Sequence, residues 1–190
     1  MSLIVICGWS GSGKTTIANF LQKKYGYHRI ITYTTRSKRE YEENGKDYHF
    51  ISRDAFQKMI EEKAFFEWTY FNDAYYGSLK KDYEQPKGVV ILDPVGVKKI
   101  ISLCPDSIVF QLCISKELAI KRLLQRKEEP EKIKRRLCMD EKEFTQLNAI
   151  RDRIIAIHIE ESDKVEEIVA KIVCFLTQKE ANHKKLGGRP

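Results

Sequence analysis

Gly8-Trp-Ser-Gly-Ser-Gly-Lys14-Thr15 matches the spacing G-x-x-x-x-G-K-[ST] at every fixed position. That spacing does chemistry through the backbone. Glycines let the chain curl until successive N–H groups point inward at phosphate oxygens. The helix that opens after the loop adds partial positive charge at its N-terminus. Lys14 is placed to reach the β- and γ-phosphates, and the Thr15 hydroxyl to ligate the Mg²⁺ that accompanies a nucleoside triphosphate. Ser10, Gly11, Ser12, Gly13, Lys14, Thr15 and Thr16 are the expected triphosphate contacts. Asp93 ends a second apolar run, Gly88-Val-Val-Ile-Leu92. A carboxylate there either holds Mg²⁺, directly or through water, or caps the helix that Pro94 opens. The metal role is the expectation.

A second group of residues suits a phosphorylated acceptor. Arg36 and Arg39 follow a Thr-Thr pair, and arginine forks match phosphate oxygens bidentately. Tyr48 and Tyr76 offer hydroxyl donors to the same phosphate. Glu67 lies within an aromatic run, where an unpaired carboxylate is costly, so it needs a partner. Guanine presents adjacent donors at N1 and N2 that one carboxylate can accept. Its O6 needs a hydroxyl donor, from Thr32 or Ser78. Adenine mismatches both groups, and unpaired buried polar groups reject a wrong substrate strongly.

These residues need a scaffold, and the apolar patterning supplies one. Leu3–Cys7, Gly88–Leu92, Ser107–Cys113 and Arg153–His158 read as buried parallel strands. Helical spacing follows each, over Lys14–Tyr25, Val95–Ile101, Lys116–Arg126 and Lys164–Leu176. Strands alternating with helices predict an α/β fold of three layers, a parallel sheet with helices on both faces. Two stretches break the alternation. Residues 32–78 are aromatic-rich, with one amphipathic helix near Asp54–Glu62, and predict an inserted β-rich subdomain. Residues 121–136 are densely charged around Glu128-Glu129-Pro130 and predict two helix ends joined by a mobile loop, a lid. The core is then expected at 1–31, 79–120 and 137–177, with a frayed polar tail at 178–190.

Thr34-Thr-Arg-Ser-Lys-Arg39, Glu42, Gly45-Lys-Asp-Tyr-His-Phe50, Phe66-Glu-Trp68 and Tyr75-Tyr-Gly-Ser78 stand in one order and spacing. Together with the phosphate loop, they resemble the guanylate kinase signature, and the resemblance covers roughly residues 3–176. It implies a P-loop enzyme of three parts: a parallel-sheet core, a GMP-binding subdomain and a helical lid. It implies ATP, as ATP–Mg²⁺, and GMP as substrates, with ADP and GDP as products. It assigns the GMP phosphate to Arg36, Arg39, Tyr48 and Tyr76, and the base to Glu67, Ser78 and Thr32. Glu42 matches a family carboxylate near GMP. Arg126 and Arg136 match lid arginines that close on the transferring phosphoryl group, and Arg122 lies one turn before Arg126. Lys14, Arg39, Arg126 and Arg136 are the implied catalytic cations, and Thr15 and Asp93 the implied metal contacts.

The chain departs from the family pattern in four places. After its second core strand the family carries a second Asp and then Gln-Gly, whereas Asp93-Pro-Val-Gly96 reads as about two residues shorter. Asp93 then corresponds to either family Asp. Cys113-Ile-Ser115 replaces Pro-Pro-Ser, Ile157–Glu160 replaces the Asn-Asp near adenine, and Trp9 replaces a proline. Two other functions follow from the altered pattern: a kinase for a different phosphate-bearing acceptor, or a non-catalytic module that binds a phosphorylated protein. The intact phosphate loop counts against the module.

Composition sets the remaining bounds. The chain has 190 residues, 42% of them hydrophobic, which is enough for one domain with a real core. A net charge of +7 suits phosphate-rich ligands. Basic residues spread along the chain argue against nucleic acid as a partner. Five cysteines without C-x-x-C spacing and four histidines without ligand spacing predict neither disulfides nor zinc. No apolar run approaches the roughly 20 residues of a membrane span. The expectation is a cytoplasmic monomer or homodimer without a membrane partner.

Overall fold

The computed structural model describes residues 3–186. Strand β1 (Ile4–Gly8) runs through the glycine-rich loop into α1 (Lys14–Tyr25) and β2 (His28–Ile30). The chain then builds β3 (Tyr33–Thr34), β4 (His49–Phe50), α2 (Arg53–Glu61), β5 (Phe65–Phe71), β6 (Ala74–Leu79) and the one-turn α3 (Lys80–Tyr83). It continues as β7 (Gly88–Ile91), α4 (Pro94–Leu103), β8 (Ile108–Cys113), α5 (Lys116–Gln125) and α6 (Pro130–Thr145). A 3-10 segment (Gln146–Arg153), β9 (Ile154–His158) and α7 (Val165–Leu186) complete it.

The core sheet has the order β2-β7-β1-β8-β9, and every neighbouring pair is parallel. Central β1 is buried at all five residues, as a strand covered on both faces must be. One face packs Ile4, Ile6 and Phe110 under Ile17 and Leu21 of α1 and Ile168, Val169 and Ile172 of α7. The other packs Val5, Cys7 and Val90 under Val97 and Ile100 of α4, with Phe144 and Leu147. Alternate residues of β1 thus feed opposite cores, which makes the three layers expected from the patterning.

The second sheet has the order β4-β3-β6-β5 and keeps a core of its own. Phe56 of α2 is fully buried there, stacked on Phe65 at 4.4 Å and on Tyr75 at 5.3 Å. α2 begins where Ser52 caps Ala55 N–H, and its apolar stripe faces this sheet.

Three elements differ from the expectations. Strand β2 was not foreseen: His28-Arg29 is polar, and a three-residue edge strand leaves little pattern to read. Helix α6 runs further than the charge pattern indicated. α5 ends at Gln125, Lys127 turns the chain at φ 59°, and Pro130 opens α6, whose 16 residues reach Thr145, past the stretch read as lid at 121–136. Proline at the first helical position costs no hydrogen bond, so the charged stretch propagates as helix. α7 also runs on to Leu186. Residues 178–186 contain no glycine or proline, only residues a helix tolerates, so the expected tail is helical that far. Residues 187–190 of that tail lie outside the described residues.

Phe56→Ala is predicted to cost about 3–5 kcal/mol of stability. Because the small sheet has a separate core, it should loosen first. Hydrogen exchange of the Phe56→Ala protein should show protection lost over β5 and β6 while β1 and β8 stay protected.

Candidate active site

The core strands end at one edge of the sheet, and the phosphate loop sits there. Gly8 leaves β1 beside Leu112 of β8; a Cβ at Gly8 would lie 2.5 Å from the Leu112 carbonyl oxygen, so only glycine fits. Gly13 takes φ 92° and turns the chain into α1. Lys14 Nζ donates to the carbonyls of Gly8 at 2.7 Å and Trp9 at 2.8 Å, which folds its stem back along the loop. Burial pushes the Lys14 ammonium down to about 8; Asp140 opposes that shift, and Arg126 and Arg39 add to it. Ser10 N–H donates to Asp140 Oδ2 at 2.7 Å, and Arg122 donates to the Gly11 carbonyl at 3.2 Å. Ser12 Oγ is buried without a partner.

One cavity of about 340 Å³ extends from this loop to the small sheet. Its loop side is lined by Ser10, Gly11, Gly13, Lys14, Thr15 and Thr16. Its far side is lined by Thr32, Arg36, Arg39, Glu42, Tyr48, Glu67 and Tyr76. Arg126 and Arg136 line it from the lid, and Asp93 and Pro94 from the end of β7. Of the residues expected from sequence, Ser12 and Ser78 are buried behind this lining.

Glu42 organises the arginines. Its carboxylate accepts two bonds from Arg36, at 2.8 and 3.0 Å, and one from Arg39 N–H at 2.8 Å. Burial pushes Glu42 toward the neutral form, but the Arg36 bonds and the Arg39 N–H outweigh it and hold the carboxyl below its usual range. Glu42 therefore meets the arginines, and they meet the cavity. The Arg36 guanidinium also lies over Tyr48, 5.3 Å from its ring centroid. Burial pushes the Tyr48 phenol up to about 12, which keeps it a hydrogen-bond donor.

Glu67 and Ser78 are cross-strand neighbours on β5 and β6, and the Ser78 hydroxyl donates to Glu67 Oε1 at 2.8 Å. Glu67 is 4% exposed. Burial raises its carboxyl to about 7; Ser78 and Lys99 pull it down, and Asp93 pushes it further up. Asp93 caps α4 by accepting Gly96 N–H at 2.8 Å, and its other oxygen accepts the Thr69 hydroxyl at 2.8 Å. The carboxylate thus stands at the seam with β5. Each oxygen already accepts one protein donor, so a cation would meet Asp93 most readily through water. Thr15 carries an exposed hydroxyl on the cavity wall, a hard oxygen suited to Mg²⁺.

The lid reaches across the cavity mouth. Arg136 Nη1 pairs with Glu128 Oε2 at 2.7 Å, and the Tyr41 hydroxyl donates to Glu128 Oε1 at 3.0 Å. Arg126 lies 5.7 Å from the centroid of the Tyr41 ring. Sequence reading missed Tyr41, Thr69, Glu128 and Asp140. Asp140 did leave a signal, since Ile133, Leu137, Asp140 and Phe144 follow helical spacing and all four are buried. A carboxylate on that stripe requires a partner.

A family model described as guanylate kinase matches residues 1–179. The chain is 34% identical to a guanylate kinase of Clostridium acetobutylicum over 177 residues, 90% of this chain and 82% of that one. It is 34% identical to a guanylate kinase of Pseudoalteromonas translucida over 139 residues, covering 70% and 68%. A guanylate kinase of the Onion yellows phytoplasma matches at 43% over 84 residues; the alignment spans 40% of that relative's length. The crystal structure of guanylate kinase from Anaplasma phagocytophilum superposes with a TM-score of 0.68 at 21% identity. It covers 94% of this chain and 85% of its own, and shares the fold. Among the described residues no helix is long and apolar enough to cross a membrane.

A ligand that presents paired N–H donors to Glu67 requires the ionised carboxylate. With the carboxyl at about 7, calorimetry should show the dissociation constant for GMP falling as pH rises from 6 to 8. Glu67→Gln should bind GMP far more weakly, by roughly 10³-fold or more, without that dependence.

Proposed function

The chain belongs to the guanylate kinase family, and from that premise we propose that it transfers the γ-phosphoryl group of ATP to GMP, yielding ADP and GDP. The observation that carries this reading is the continuity of the cavity: one space joins a phosphate loop to a buried carboxylate, with arginines between them.

ATP arrives as ATP–Mg²⁺ and lays its phosphates on the backbone of Ser10–Thr16. Mg²⁺ bound with ATP neutralises charge on the β- and γ-phosphates. Thr15 is the ligand this chain offers it, and Asp93 a contact through water. GMP docks its phosphate on Arg36, Arg39, Tyr48 and Tyr76, with Glu42 holding the arginines in register. Glu67 accepts the N1 and N2 donors of guanine. Freed from Glu67 in that exchange, the Ser78 hydroxyl turns to O6, beside Thr32. The acceptor phosphate is already anionic, so no general base is needed. An oxygen of the GMP phosphate forms the new P–O bond as the bond to the ADP oxygen breaks. Lys14, Arg39, Arg126 and Arg136 spread the charge of the transferring group. Closure of the lid and the small sheet excludes water, so GMP and not solvent is phosphorylated. No anchor or membrane surface enters this scheme, and the reaction belongs in the cytoplasm, where its substrates are.

A coupled assay of ADP release with GMP, AMP, UMP and CMP as separate acceptors tests the reading. Turnover confined to GMP is the expected result. Turnover with another acceptor while GMP stays inert would assign a different substrate, and ATP binding without turnover would leave a binding module. Lys14→Ala is expected to lower kcat by several orders of magnitude; wild-type turnover in that variant would overturn the phosphate-loop assignment.

A further inference from the structure

Asp140 has no role in the scheme so far, yet its placement is expensive. It is 7% exposed, on the face of α6 that also buries Ile133, Leu137 and Phe144, and it lines the cavity together with Lys14, Arg126 and Arg136. A carboxylate in such a place is costly unless its bonds compensate. The nearby cations are engaged elsewhere: Arg136 pairs with Glu128, Arg122 donates to Gly11, and Lys14 donates to Gly8 and Trp9. What Asp140 accepts is the Ser10 N–H, at 2.7 Å, across 130 residues of sequence. A charge-assisted bond of that length is among the stronger and more directional contacts available. An aliphatic residue would have served the packing alone.

Asp140 also lies four residues after Arg136, so the two share one face of α6, a turn apart. Ser10 belongs to the loop that faces the triphosphate. The bond therefore ties the helix face that presents Arg136 to the surface on which the transferring phosphate rests.

We propose that Asp140 is a positioning residue for phosphoryl transfer: through Ser10 N–H it fixes the rotation and height of α6, and with them Arg136, relative to the phosphate loop. This rests on the kinase reading above. Asp140 does not touch the reacting atoms. It sets where the Arg136 guanidinium can reach, and small displacements of a charge-stabilising group lower the rate of transfer steeply.

The test is a double-mutant cycle in the full chain. Asp140→Leu fills the same space but removes both the charge and the acceptor; Asp140→Ala is the second variant, used if the first does not fold. The expected result is a fall in kcat with GMP of roughly tenfold or more, the scale of one lost charge-assisted hydrogen bond. KM for ATP should change by less than about threefold. Asp140→Asn keeps an acceptor oxygen for Ser10 and should recover most of the lost kcat. In an Arg136→Ala background, removing Asp140 should cost little more, because there is no guanidinium left to place. Three results overturn the inference: unchanged kcat, a loss expressed only in KM for ATP, or an equal loss with and without Arg136. Failure of the kinase reading would look different, since the unsubstituted enzyme would not turn over GMP.

Discussion

Five cations, Lys14, Arg36, Arg39, Arg126 and Arg136, line one small cavity, and their mutual repulsion is the constraint that orders the site. Like charges a few ångströms apart in a partly dry space oppose each other by several kcal/mol. Each group is therefore tethered. Glu42 takes Arg36 and the backbone of Arg39. Glu128 takes Arg136, and Tyr41 carries part of the load beside Arg126. Lys14 leans on two carbonyl oxygens, with the Asp140 charge opposing the effect of burial. The cations are held in place before any phosphate arrives, so little reorganisation remains when one does.

The same logic explains why the chain builds two sheets. The parallel core delivers a loop, a helix N-terminus and a capped carboxylate at its strand ends, which suits a triphosphate. In the proposed scheme a base and a second phosphate need side chains that project from a different direction, and the aromatic sheet is the element that offers them. Its bulk fills with Phe56, Phe65 and Tyr75, leaving Glu67 as a buried carboxylate among rings. Burial makes an unpaired carboxylate costly there, and Ser78 is the partner that Glu67 keeps.

Much of this was legible in the residues. The phosphate loop and α1 were readable to the residue, because glycine spacing and an apolar stripe both mark them. Four core strands were readable to within a residue at each end, three from runs buried on both faces; β9, expected to be buried as well, is a partly exposed edge strand that its apolar run alone marked. Glu67 stood out by chemistry, as a carboxylate in an aromatic run. What escaped notice depends on contacts distant in sequence. Asp93 shows only as an aspartate before a proline; its bond to Thr69 lies in the folded chain. Glu42 was read only through the family resemblance; its bonds to Arg36 and to the Arg39 N–H appear in the folded chain. Glu128 sat in a charged stretch that resembled solvated lid, and its partners Tyr41 and Arg136 lie on separate elements. The run of α6 beyond Arg136 to Thr145 was missed because surface charge says little about where a helix stops.

That continuous helix has a mechanical consequence. Arg136 sits between Ile133 and Leu137, both seated in the interior. Swinging the arginine outward by more than a change of rotamer would lever both side chains out of their sockets. The small sheet is seated too: Phe66 of β5 packs against the core, and Lys99 of α4 donates to the Trp68 carbonyl and lies 4.9 Å from the Trp68 ring centroid. Its contacts with the lid pass through Tyr41, whose hydroxyl donates to Glu128 and whose ring centroid lies 5.7 Å from the Arg126 guanidinium. Any motion of the lid then carries Arg136 and its two buried neighbours as one body.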